Sequence, residues 1–191
     1  ARDAVIVVLI FYSMFSVIRN VAWRNSCVLW SEMAEHYPDN ALAHSNLASW
    51  FGHSGLVDKA ISEYKIALRL DPDYAEDYNS LGRCYYEKGM LDDAIREFKR
   101  ALIIDPDWTD PYINLGAAFG KKGLYQNAIR CLTEAIKINP RNVAAYNNLG
   151  ITYAKMEDRE AARKAWEKAL EITPKYKEAQ DNLEKLKQQG H

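Results

Sequence analysis

With 191 residues, 48% hydrophobic and 27% charged, the chain is long enough for one or two packed domains and too apolar to be disordered throughout. A formal net charge of −1 and an isoelectric point near 6.5 supply no broad positive field, which argues against nucleic acid held through its phosphates. Three widely separated cysteines, Cys27, Cys84 and Cys131, form no CxxC pair and read as buried or half-buried thiols.

The first predicted element is an apolar helix within residues 1–22, whose stretch 4–18, AVIVVLIFYSMFSVI, carries no charge. Such a run is about 22 Å long as a helix, short of the roughly 30 Å hydrocarbon core of a bilayer. Three readings fit it: the end of a membrane helix, a buried helix packed under the first repeat, or a contact between copies of the chain. A signal peptide fits less well, because no small-residue cleavage site comes after the run. The chain starts at Ala1 without a methionine and ends in Gly190-His191, as a piece excised from a longer protein would. A second helix is predicted over 23–37 and is closed by Pro38.

From residue 41 one period governs the chain. Leu47, Leu81, Leu115 and Leu149 stand 34 residues apart, each followed by a small residue, Ala48, Gly82, Gly116 or Gly150. Three positions earlier stand His44, Tyr78, Tyr112 and Tyr146, and four positions later Phe51, Tyr85, Phe119 and Tyr153. Ala60, Ala94, Ala128 and Ala162 come next, then Tyr64, Phe98, Leu132 and Trp166, then Ala67, Ala101, Ala135 and Ala169. Pro72, Pro106, Pro140 and Pro174 close each period. Apolar spacings of three and four within each period predict two helices. The connecting stretches supply stop and start signals, with proline ending one helix and Asp73, Asp107 or Asn142 expected to N-cap the next. Asp73 with Glu76 also has capping-box spacing.

These markers resemble the tetratricopeptide repeat, a 34-residue helix-turn-helix unit, over 41–74, 75–108, 109–142 and 143–176. The resemblance implies an all-α fold, a right-handed α-solenoid in which each hairpin covers the apolar face of the one before. Residues 177–191 then form a capping helix, with Leu183 and Leu186 on its apolar side. Residues 23–40 read as a degenerate half repeat, since Ser26, Trp30 and Pro38 keep register while Met33 stands where alanine is usual.

Within INLGAAFGKKG, residues 113–123, glycine inside a predicted helix costs about 1 kcal/mol relative to alanine. Gly116 is expected to offset this by letting paired helices approach closely. Gly55, Gly89 and Gly123 fall where first helices end and suit a left-handed C-cap. The fourth repeat has Glu157-Asp158 there instead.

A second resemblance concerns the entry to the repeats. Arg19-Asn20, Trp23, Leu29-Trp30, Pro38, Asn40, Ala43-His44 and Asn46-Leu47 are similar to the junction in polytopic membrane glycosyltransferase-like proteins, where the last membrane helix runs into C-terminal tetratricopeptide repeats. Arg19 and Trp23 also suit an interfacial anchor. Three functional readings remain open: a scaffold binding an extended peptide or partner segment in the concave groove next to a membrane, the non-catalytic tail of such a membrane enzyme, or a soluble assembly factor that self-associates through 4–18. The implied location is membrane-associated or cytoplasmic.

No catalytic set emerges. His36, His44, His53 and His191 lack metal-ligand spacing, and His44 occupies an aromatic core position. Asp92-Asp93 and Glu157-Asp158 read as charges favouring helix N-termini. No phosphate loop is present, and neither metal nor cofactor is expected. The predicted site is the inner wall formed by the first helices, with protein or peptide as partner. Asn46, Ser80, Asn114, Asn148 and Asn182 recur every 34 residues, and this column resembles the asparagine ladder with which some tetratricopeptide superhelices hold a peptide main chain. An amide donates and accepts, so it can pair with a main chain regardless of the bound side chains. Asn79, Arg83, Tyr86, Lys121, Asn147 and Lys155 are the other peptide-binding candidates, with Ser49, Gly52, Ala117, Gly120 and Ala154 leaving room between them. Charge is unevenly spread, at −3 in 75–108 (5 minus 8), +3 in 109–142 (5 minus 2) and +1 in 143–176 (6 minus 5). Acidic ligand residues would then lie against Lys121 and Lys155, unless a solvated outer face holds that charge. The positions of a terminal-carboxylate clamp hold Leu42, Glu76, Asp110 and Ala144, which disfavours that ligand class.

Overall fold

A computed structural model describes residues 27–188, which are helices joined by short turns with no strand among them. The apolar run 4–18 and the start of the glycosyltransferase-like junction lie outside the described residues. Among the described residues no helix is long and apolar enough to cross a membrane. The chain divides into two compact units, 1–72 and 73–191.

The first unit contains a helical stretch over 27–36 (α1), then α2 (Ala41–His53) and α3 (Val57–Leu70) packed as a hairpin. Asn40 caps α2, its side chain accepting from the Ala43 amide at 3.1 Å. Ala48 and Ala60 are fully buried and let the two helices approach. His44 is buried, as its aromatic-core register requires, but it is not an apolar filler. Its Nδ1 lies 2.7 Å from Glu63 Oε2 and its Nε2 lies 3.1 Å from the Pro38 carbonyl. One ring thus ties the α1–α2 turn to α3 and satisfies the polarity it buries.

The second unit runs α4 (Ala75–Glu87), α5 (Leu91–Ile104), α6 (Thr109–Lys121), α7 (Tyr125–Ile138), α8 (Val143–Lys155), α9 (Arg159–Ile172) and α10 (Lys177–Gln188). Each first helix packs on its own second helix, and α4 with α6, α6 with α8 and α8 with α10 are also in contact. That is the arrangement of an α-solenoid. Alanines at 94, 101, 128, 135, 162 and 169 are fully buried, so the helices of this unit meet through small side chains.

The glycines after the marker leucines hold the hairpins together. A Cβ at Gly82 would lie 2.6 Å from the Phe98 ring, at Gly116 2.6 Å from Leu132 Cγ, and at Gly150 2.5 Å from Trp166 Nε1. In each of these three repeats the bare backbone receives the large side chain of the second helix, which is how the helix-propensity cost is offset. Trp166 is also tethered, its Nε1 donating to the Asn147 carbonyl at 3.2 Å.

Turns repeat with equal regularity. The amide of Leu56, Met90, Leu124 or Asp158 donates to the carbonyl five residues earlier, at 2.9–3.0 Å, closing each first helix. The residue before it is left-handed: Gly55 (φ 75°), Gly89 (φ 75°), Gly123 (φ 79°) and, in the fourth repeat, Glu157 (φ 62°). The fourth turn therefore keeps its geometry at the expense of strain in a non-glycine residue. Glu157→Gly is expected to raise the stability of this repeat by about 1 kcal/mol, measured by chemical denaturation, because relief of strain exceeds the entropy glycine adds to the unfolded chain.

The expected aspartate caps are corrected. The N-caps of α4 and α6 are Tyr74 and Trp108, neither with a side-chain cap bond, so Asp73 and Asp107 each lie one residue outside the cap and Asp73 is not the N-cap that a capping box with Glu76 requires. The Asp107 amide instead donates to Asp105 Oδ1 at 3.2 Å, a local turn that competes with capping. Asn142 does cap α8, accepting from Ala145 at 3.0 Å, and Asp158 caps α9, accepting from Ala161 at 3.0 Å. Asp92 and Asp93 occupy the first turn of α5 as expected.

Helix α10 completes the second unit. Leu183 and Leu186 pack on the cluster of Ala162, Trp166, Ala169 and Ala179, while its lysines and glutamates are exposed. Arg159 at the start of α9 donates to the Leu186 carbonyl and fastens the far end of the cap.

Candidate functional site

In the second unit the first helices α4, α6 and α8 share one wall, and a groove of about 230 Å³ runs along it. Its floor is made of Gly116, Ala117 and Gly120, and Tyr86, Lys121 and Lys155 rise from its rim. Gly120 does not serve helix packing. A Cβ there would meet only Thr152 Oγ1, at 3.9 Å, an ordinary contact. The missing side chain leaves the groove open instead. Lys121 extends over Tyr86, its Nζ 4.7 Å from the ring centroid, a cation–π arrangement that pre-orients the ammonium group. A second cavity of about 280 Å³ lies beside α8, α9 and α10; it shares Ile151 and Lys155 with the first and adds Trp166, Asn182 and Lys185.

The asparagine column divides in two. The Asn114 side chain donates to Asn79 Oδ1 at 2.9 Å, and Asn182 donates to Asn147 Oδ1 at 3.1 Å. In both pairs the donor lies 35 residues after the acceptor, and each bond joins consecutive first helices. Asn79 and Asn147, expected among the groove residues, are each only 6% exposed, so their amides lie between helices and fasten repeat to repeat. Asn148 differs because the residue 35 positions before it is Ile113, whose side chain carries no amide. Asn148 lines the groove instead. In the first unit, Asn46 donates to the Leu42 carbonyl of its own helix at 2.8 Å.

Of the predicted residues, Tyr86, Lys121, Asn148 and Lys155 meet in the first cavity and Asn182 lines the second, whereas Arg83 is exposed and lines neither. Tyr125, Ile151, Trp166 and Lys185 line these cavities without having been predicted there. The signal for Ile151 was an apolar β-branched residue on an otherwise polar helix face; it is 39% exposed. Repeat register assigns Trp166 wholly to packing, yet it also lines the second cavity.

Several cations of the second unit are paired. Lys122 pairs with Asp92, Lys137 with Glu134 and Arg163 with Glu160 and Glu167. The buried Glu97 is held by Arg96 and Arg100, at 2.9 and 3.1 Å. Among the described residues neither Lys121 nor Lys155 belongs to an ion pair, and no carboxylate lines either cavity. The thiols offer no alternative chemistry. Burial, with Glu87 adding to it, pushes Cys84 up to about 11, and burial also raises Cys131, so both are protonated at neutral pH. Among the described residues no cluster of His, Cys, Asp and Glu could hold a metal ion.

Comparison with known proteins agrees with this architecture. MamA, in its crystal structure, superimposes with a TM-score of 0.76 at 26% identity, covering 82% of this chain and 92% of that one. MamA 41-end from Desulfovibrio magneticus RS-1 gives a TM-score of 0.76 at 16% identity over 84% and 90% of the two chains. TTC0263, a thermophilic TPR protein of Thermus thermophilus, gives 0.71 at 20% identity over 91% and 95%. No curated protein matches the chain. The TPR repeat profile matches residues 53–89, 82–123 and 121–157, and the tetratricopeptide repeat profile matches 143–176. On these matches, and on its paired helices and recurring small-residue contacts, the chain belongs to the tetratricopeptide repeat family.

Proposed function

We propose that this chain is a non-catalytic scaffold that takes an extended segment of a partner protein in the groove formed by α4, α6 and α8. The observation that carries this reading is Gly120. A helix position that tolerates a side chain sterically has none, and the space so left is bordered by an aromatic ring, two ammonium groups and an amide not used between helices. Small residues on the floor admit a main chain, Asn148 offers it both a donor and an acceptor, and the rim supplies side-chain contacts. The uncharged run 4–18 supports a position next to a membrane.

The test is selection of peptides from a displayed random library on the whole chain, followed by titration of the selected sequences. Gly120→Trp, whose Cβ would meet only Thr152 Oγ1 at 3.9 Å and whose ring would fill the groove, is expected to abolish their binding while helicity by circular dichroism is retained. Asn148→Ala, which removes no bond between helices, is expected to weaken binding by about 1 kcal/mol. Selected peptides that bind Gly120→Trp as well as the parent would place the contact elsewhere and end this reading.

A further inference from the structure

The unpaired cations of the groove specify the chemistry of its occupant; the inference rests on the reading just given. Lys121 and Lys155 close successive first helices, and Lys185 stands beside Lys155 in the adjoining cavity. Lys122, Lys137, Arg163 and Lys168 each have a carboxylate within reach. The two cavities bring three ammonium groups together around space that no carboxylate borders. Like charges gathered without a counter-charge repel one another, and a complementary partner relieves that repulsion.

We propose that this groove binds an extended segment carrying carboxylate side chains at alternate positions, which lie against Lys121, Lys155 and Lys185. General helix and strand spacings are compatible with alternation. Neighbouring helix axes are about 8–10 Å apart. In an extended chain, side chains on one face recur every second residue, about 7 Å apart. The flexible four-carbon stems of lysine take up the difference. Asn148 lines the same groove two turns before Lys155 on α8, and its amide, not engaged as those of Asn114 and Asn182 are, can pair with the main chain of the bound segment. The small floor residues Gly116, Ala117 and Gly120 leave room for the backbone, and the intervening side chains point to solvent. A terminal carboxylate is not required.

The experiment uses the same library selection on the whole chain and reads the composition of the selected peptides. Enrichment of Asp and Glu at alternate positions is expected. A synthetic peptide of the selected sequence should bind at least about tenfold more weakly to Lys121→Glu/Lys155→Glu, and less weakly to the neutral Lys121→Gln/Lys155→Gln. Its affinity for the parent should fall as salt rises. Both lysines are exposed at helix ends, so both double variants should keep the parent melting temperature. Peptides that are blocked by Gly120→Trp yet show no acidic bias, and bind the charge-reversed variant as well as the parent, would overturn this inference and leave the groove reading standing. Peptides indifferent to Gly120→Trp would overturn both.

Discussion

Gly150→Ala is expected to destabilise the fourth repeat by about 2 kcal/mol, whereas Gly120→Ala, on the preceding first helix, is expected to stabilise its own by up to about 1 kcal/mol. Both substitutions improve helix propensity by about the same amount, so propensity alone predicts the same sign for both. Packing separates them. At Gly150 the new methyl would lie 2.5 Å from the Trp166 indole, a rigid ring 3% exposed and hydrogen-bonded to the Asn147 carbonyl, which cannot turn aside. Overpacking of this kind costs about 1–3 kcal/mol, and a tethered ring puts it at the upper end. Gly116→Ala meets the fully buried Leu132 at 2.6 Å and should also destabilise, by less, because an aliphatic side chain repacks more readily. At Gly120 the nearest atom is 3.9 Å away and nothing must move. Urea denaturation of the three variants decides the matter. A stabilised Gly150→Ala would mean that the glycine after the marker leucine is not needed for helix approach.

Ending the chain after Tyr176 is expected to be more damaging than any of these substitutions. Helix α10 lays Leu183 and Leu186 over Trp166, Ala162 and Ala169. Full burial of a leucine contributes about 1.5–3 kcal/mol, and the two together, partly buried, contribute a few kcal/mol that a truncated chain forfeits. Removing the cap also exposes an apolar face, and terminal repeats in such stacks need a polar outer side to remain soluble. The expected result is faster amide hydrogen exchange in α8 and α9, with α4 to α6 much less affected since each repeat leans chiefly on its neighbours. The full-length pair Leu183→Asp/Leu186→Asp should reproduce the loss without shortening the chain. Unchanged protection of α9 in both variants would show that the last hairpin stands without its cap.

Much of the fold is legible in the sequence. The period of 34 assigns the second-unit hairpins and the glycines at close contacts, because steric demand and helix phase are local properties that recur with the repeat. The left-handed glycines are equally plain. Less legible is Glu157, since nothing local says that a turn will keep the backbone of its siblings after losing their glycine; the stacking of α8 on α9 imposes it. The caps expected at Asp73 and Asp107 fail for a related reason. Proline and two aspartates offer competing local bonds, and the side chain that wins depends on where the helix actually begins.

The functional residues show the same division. Sequence alone determined that this chain is a stack of helical hairpins of the tetratricopeptide type, because spacing dictates which residues share a helix face and small residues dictate where helices meet. Tertiary structure alone decided which of the recurring polar residues are free. Whether an asparagine bonds to a neighbour or looks into a groove depends on the residue 35 positions earlier on the preceding first helix, and the pairing of Asn114 with Asn79 has no trace in either helix taken singly. The same holds for Lys121 and Lys155, which differ from the paired cations around them only because no acid is folded within their reach. Hydrogen bonds and ion pairs are settled by distances of a few ångströms between segments far apart in the chain, and the period of 34 does not by itself say which recurring side chains come that close.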